Sequence, residues 1–151
     1  MAIGIIMSVV MFVTWYIFRG FLPTESIREF VEPFGLLNRW LYLAVFIYWV
    51  TFNSLLEEYL FRWFIFEKAS SLTNDFAAVF ISSLAFTSHH VFGVSKMLPD
   101  WGAILASLGV FTGGFVWSLL YKKHRSIWPC YISHVIVDIT LFGIAAFILF
   151  G

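Results

Sequence analysis

Seven residues combine the types needed for acid–base chemistry with a regular spacing: Glu57-Glu58 and then Arg62, His89-His90, and His134 followed by Asp138. Low-dielectric surroundings disfavour a carboxylate anion, which suits a buried carboxylate to take a proton from water. A nearby histidine can share that proton or orient the water. A second histidine and a polar residue opposite can stabilise the oxyanion of a tetrahedral intermediate. Glu57, His90 and His134 could instead hold zinc, leaving an open position for water. No serine or cysteine stands in a recognisable nucleophile motif, so water is the simpler attacking group.

Helical spacing assigns partners. Residues four apart share a face. Glu58 and Arg62 therefore form an acid-before-base pair that supports the structure. Glu57 points about 100° away and has no such mate. Asn53, one turn earlier, can hydrogen-bond it. His134 and Asp138 share a face, and Phe86 lies one turn before His90, where its ring can shield and hold the imidazole. His89 faces elsewhere and reads as structural or interfacial. Ser88 and Ser133 read as small packing hydroxyls.

The elements that must carry these residues lie in lipid. Of 151 residues, 61% are hydrophobic and 12% charged, with a mean hydropathy of +0.90. A water-soluble fold of this size cannot hide so much apolar surface. Five stretches suit membrane spans: about 2–22, 38–67, 75–96, 102–121 and 127–150. The expected fold is all-α, a single membrane-embedded domain over 1–151 built as a polytopic bundle. Residues 23–37, with Pro23, Pro33 and Gly35, suit an interfacial loop. Asp100 suits an N-cap, and Pro129 suits the first turn of the last helix.

Charge at membrane depth costs at least about 2.5–3.5 kcal/mol per group, so its placement carries meaning. Glu57 and His90 both lie roughly 24–26 Å from the turn near residue 73, at about 1.5 Å of rise per residue. Asp138 lies about 21 Å, and His134 about 15 Å, from the loop near residue 124 on the same side. Polar groups of three helices thus converge on one layer.

The remaining features are those of a membrane protein. Trp15, Tyr16, Trp40, Trp63, Trp101, Trp117, Tyr121 and Trp128 lie near predicted helix ends, as an interfacial belt does. Gly109 and Gly113 form a GxxxG pair for close helix approach. A net charge of zero leaves no footprint for nucleic acid. The lone Cys130 rules out an internal disulfide and reads as core. The cluster Lys122-Lys123-His124-Arg125 favours a cytoplasmic fourth loop and N-terminus. The expected partners are membrane lipids and a membrane-associated substrate.

At the polar residues the sequence resembles a known family. Glu57-Glu58-Tyr59-Leu60-Phe61-Arg62 is similar to the EExxxR motif of the CPBP family, the CAAX proteases and bacteriocin-processing enzymes. Phe86-Thr87-Ser88-His89-His90 resembles its FxxxH motif, and His134-Val135-Ile136-Val137-Asp138 its HxxxN/D motif. The likeness covers about residues 50–142, in the family's order. It implies an intramembrane endopeptidase acting on a membrane-associated peptide or lipidated protein, with water activated by Glu57 and His90. It implies His134 and Asp138 at the oxyanion side or in a metal shell, under either a zinc-dependent or a glutamate-dependent mechanism. Trp63 departs from the small residue that often follows the motif arginine. Asp138 stands where Asn is also found, and an ionised carboxylate cannot donate to an oxyanion as an amide can. Asp138 is then protonated, or orients His134, or joins a metal site.

Two other classes remain open. A non-catalytic peptide-binding or bacteriocin-immunity protein would need the pocket but not its chemistry. A proton-coupled transporter also uses buried Glu, His and Asp, although no inverted repeat or pair of broken helices is visible. The brevity of the chain favours the plasma membrane of a prokaryote.

Overall fold

Two asparagines start the helices that carry the acidic and histidine motifs. Asn38 Oδ1 accepts from the backbone N–H groups of Trp40 and Leu41, at 3.0 and 3.1 Å. Asn74 Oδ1 does the same for Phe76 and Ala77, both at 3.0 Å. Each satisfies donors that a helix leaves without an internal partner. The computed structural model describes Met1–Gly151.

Helix α1 (Ala2–Phe18) ends in a short 3-10 turn, and α2 (Thr24–Val31) follows. Next come α3 (Arg39–Leu72), α4 (Asp75–Met97), α5 (Asp100–His124) and α6 (Trp128–Phe150). All but α2 are long and apolar enough to cross a membrane, which makes five spans. There is no β-strand. The all-α, five-span expectation holds, and the chain is an integral membrane protein.

Two expectations change in detail, and a third, the place of Pro129, holds. Residues 23–37 are largely helical, because Ile27, Phe30 and Val31 give α2 an apolar face that joins Leu36, Tyr42 and Leu149 in a small core. Gly35 ends that segment in the left-handed conformation, at φ 71°. Pro99 rather than Asp100 occupies the N-cap of α5, and Asp100 is the first helical residue. Pro129 lies in the first turn of α6, where its missing N–H costs least.

Helix α3 is not a regular α-helix. It passes through π-helical turns at Trp49–Asn53 and Tyr59–Phe66, which flank the α-helical turn Ser54–Glu58. Single π turns inside α-helices occur frequently at functional sites, since each re-aims the side chains that follow. Here they bracket both glutamates.

Packing turns that segment inward. Helix α3 contacts α4 and α6, while α1 lies along α6 and α4 packs along α5. At Gly4 an added Cβ would meet the Ser133 carbonyl oxygen at 2.8 Å, so α1 approaches α6 closely only because the residue is glycine. Ser8 Oγ donates to the Ile136 carbonyl at 3.1 Å along the same contact. Between α4 and α5 the close approach occurs at Gly114, where a Cβ would lie 3.1 Å from the Phe86 ring. Gly109 faces open space, so the GxxxG pair is not the contact that the sequence suggests.

The aromatic belt is likewise smaller than expected. Trp40, Trp63, Trp101 and Trp128 are exposed, but Trp117 and Tyr121 are buried in the core with Phe61, Phe66, Phe86 and Cys130. At the far end Arg125 bridges Glu67 and Asp75, tying the loop before α6 to the turn between α3 and α4. Both loops therefore lie on one side of the bundle.

Candidate active site

The polar residues of α3, α4 and α6 meet as the depth argument requires. Glu57, on the α-helical turn of α3, is buried at 7% exposure. Its Oε1 accepts a 2.8 Å hydrogen bond from Asn53 Nδ2, the partner that the spacing predicted. The same oxygen lies 3.5 Å from His89 Nε2 and 4.0 Å from His90 Nε2. Oε2 lies 3.7 Å from His134 Nε2. One carboxylate thus faces imidazoles from two other helices.

His90 and His134 are each held by their other nitrogen. His90 Nδ1 lies 2.9 Å from the Phe86 carbonyl oxygen, which can only accept. Nδ1 therefore carries a proton and donates to that carbonyl, which leaves Nε2 facing Glu57. The Phe86 ring packs against both His90 and His134, with centroids 4.6 and 5.8 Å away. His134 Nδ1 lies 2.8 Å from Glu58 Oε1, so it donates to that carboxylate and turns Nε2 toward Glu57 and Asp138.

Glu58 also pairs with Arg62, its Oε2 standing 3.2 Å from Nε, and neither side chain is exposed. The Arg62 guanidinium lies over the Phe86 and Trp117 rings, at 4.8 and 5.7 Å from their centroids. The negative faces of these rings attract the buried cation. Arg62 is therefore a core residue rather than a loop charge. Asp138 Oδ2 stands 3.5 Å from His134 Nε2 on the same helix face. Glu57, Glu58, Arg62, Phe86, His90, His134 and Asp138 are thus all in this cluster, whereas Ser88 is exposed and bonds only the Ala85 carbonyl of its own helix.

Other participants were not foreseen. His89 faces Glu57 rather than turning away, because α4 approaches α3 near the His89-His90 pair and both imidazoles reach the same oxygen. It is the open side of the cluster, with its side chain 58% exposed. Trp117 stacks on His134 at 4.1 Å between centroids, with 22° between the planes. Its indole N–H donates to Ser133 Oγ at 3.0 Å, which gives that hydroxyl its packing role. Ser54, wholly buried, reaches Asp138. A signal for Ser54 exists in its spacing, one turn before Glu58. None exists for Trp117, whose residue type and position suit an interface equally well.

The donor types fit zinc, but no three of the His, Asp and Glu side chains gather about one point at metal-binding distances. The Glu57 oxygens instead turn to different imidazoles.

Buried acid and imidazole groups on a bundle of membrane-crossing helices define an intramembrane hydrolase-type site. Residues 38–140 match the family described as Type II CAAX prenyl endopeptidase Rce1-like, and the chain belongs to that family. It is a family of intramembrane proteases, in agreement with the resemblance to the CPBP motifs. No curated protein and no solved structure matches the chain.

Proposed function

We propose that the protein is an intramembrane endopeptidase that hydrolyses a peptide bond in a membrane-associated peptide or lipidated protein. The observation that carries this reading is the Glu57 carboxylate facing His90 from one oxygen and His134 from the other. The 4.0 Å separation between Glu57 and His90 is too long for a direct hydrogen bond and suits a bridging water. Glu57 takes the proton of that water as it attacks the scissile carbonyl. His90 Nε2 accepts a second hydrogen bond from the water and fixes its direction.

His134 acts on the other side of the reacting carbon. With Nδ1 bound to Glu58, its Nε2 is the atom that can donate to the developing oxyanion once the ring is protonated. Asp138 orients His134, which is the role its 3.5 Å separation supports. The proton on Glu57 then passes to the leaving amine, which breaks the C–N bond and restores the carboxylate.

The buried layer suits a substrate delivered by the bilayer. The test is purified enzyme in detergent, assayed on membrane-anchored peptides. Glu57→Ala should abolish cleavage, and cleavage that persists would overturn the mechanism. A peptide-binding or immunity protein would instead protect cells equally well with Glu57 and His90 replaced by alanine.

A further inference from the structure

Ser54 is wholly buried at membrane depth and belongs to none of the three motifs. Its Oγ lies 2.6 Å from Asp138 Oδ2, across the contact between α3 and α6. It also lies 2.8 Å from the Trp49 carbonyl oxygen. A serine hydroxyl has one proton to donate, and both neighbours accept. The π-helical turn and the charge of the carboxylate together favour Asp138. Because the turn closes one residue later than an α turn, the Ser54 backbone N–H already donates to the Trp49 carbonyl. The hydroxyl proton is left for the carboxylate, where a charge-assisted bond is the stronger one.

We infer that Ser54 is a positioning residue of the proposed peptidase site, holding Asp138 so that its carboxylate aligns His134. This inference rests on the proposed endopeptidase reading. The oxygen that Ser54 holds, Oδ2, is the one 3.5 Å from His134 Nε2. An amide at position 138 would bring its own donor and could fix itself by accepting and donating at once. A carboxylate brings only acceptors, so an external donor must select which oxygen faces the histidine. Asn53 serves Glu57 in the same way at 2.8 Å. The end of one π turn thus gives two consecutive residues, Asn53 and Ser54, one to each carboxylate. The arrangement also explains why the irregular turn sits one residue ahead of the Ser54–Glu58 segment.

The test uses the full chain in detergent, with kcat, KM and thermal stability measured together. Ser54→Ala should lower kcat about 10- to 30-fold, the effect of losing a hydrogen bond to a charged group, with KM within about twofold. Ser54→Thr, which keeps the hydroxyl, should restore most of kcat. In an Asp138→Asn background, Ser54→Ala should cost about threefold or less, because the amide supplies its own donor. The inference is overturned if Ser54→Ala has wild-type kcat, if its loss only tracks lower thermal stability, or if its cost is equal in both backgrounds. The comparison of Ser54→Ala with Ser54→Thr decides the case even where Asp138→Asn shows no turnover. An active Glu57→Ala would sink the peptidase reading itself. An inactive Glu57→Ala beside an unimpaired Ser54→Ala would sink only the role of Ser54.

Discussion

His134 Nδ1 lies 2.8 Å from Glu58 Oε1, so the second glutamate of the acidic pair holds an imidazole as well as an arginine. Sequence spacing assigns Glu58 to Arg62 alone, because both lie on α3 four residues apart. The contact to α6 adds a functional consequence: the carboxylate fixes which His134 nitrogen faces the reacting atoms. Glu58→Gln keeps an acceptor for Nδ1 but removes the negative charge that supports an imidazolium. It should lower kcat about 10- to 100-fold with KM nearly unchanged. Steady-state kinetics on a membrane-anchored peptide check this, and equal changes in kcat and KM would argue against it.

Arg62 gives a prediction on stability rather than rate. Glu58 and Arg62 are both at 0% exposure, and the guanidinium is otherwise enclosed by the Phe86 and Trp117 rings. Removing one partner of a buried pair strands the other charge, typically at about 3–5 kcal/mol. Arg62→Ala should therefore lose most of its thermal stability in detergent. Glu58→Gln, which leaves a polar partner in place, should lose less. Similar unfolding temperatures for Arg62→Ala and the wild type would contradict this account.

The two adjacent histidines should separate in kinetics. His90 is oriented by the Phe86 carbonyl and packed on the Phe86 ring, whereas His89 is open to its surroundings. Its 3.5 Å approach to Glu57 nevertheless puts it at the mouth of the site. His90→Ala should cost at least about 100-fold in kcat, the usual scale for a group in acid–base catalysis. His89→Ala should cost less than about tenfold, with KM as the parameter that moves. The reverse order would transfer the water-orienting role to His89.

How far the site was legible follows from what fixes each residue. Charges in lipid are costly enough to be rare, so Glu57, Glu58, Arg62, His134 and Asp138 stand out, and helical rise alone brings them to one layer. The five spans are equally plain, because apolar length is nearly sufficient to specify them. What the pattern does not contain is departure from 3.6 residues per turn. The π turns in α3 decide that Ser54 meets Asp138, and no local spacing marks them. Rotation of α4 is also set by packing at Gly114, which is why the facing of His89 toward Glu57 was not foreseen. Trp117 illustrates a third limit: the same residue type serves an interface and a buried stack, and only the position of α5 tells them apart.

The approach of α1 to α6 ties a remote helix to the site. Gly4 sits against the backbone of Ser133, which precedes His134 and accepts the Trp117 indole N–H. In Gly4→Ala the new Cβ would lie 2.8 Å from the Ser133 carbonyl oxygen, so one helix must shift. Overpacking of this kind typically costs about 1–3 kcal/mol. The variant should melt at a lower temperature and also lose activity, because movement of Ser133 loosens the stack on His134. Gly109→Ala, at a glycine that faces open space on α5, is the matched control and should change neither property. Equal behaviour of the two variants would place the α1 contact outside the forces that hold the site.

We propose that the site works without a metal, from how its donors gather. No three of the acid and imidazole side chains converge on one point, since Glu57 turns each oxygen to a different ring. Holding an ion would require the Glu57, His90 and His134 donors to close to about 2.0–2.2 Å from a common centre. Asn53 holds one Glu57 oxygen through a 2.8 Å contact, whereas the Glu58 contact to His134 Nδ1 would suit a metal-bound imidazole as well as a free one. The expected outcome is that activity survives exhaustive chelation and that elemental analysis of active enzyme finds no stoichiometric metal. Loss of activity on chelation, restored by zinc at one equivalent, would show that the Glu57, His90 and His134 donors close on an ion. The hydrolytic water would then belong to the ion, with Glu57 as its ligand instead of its base.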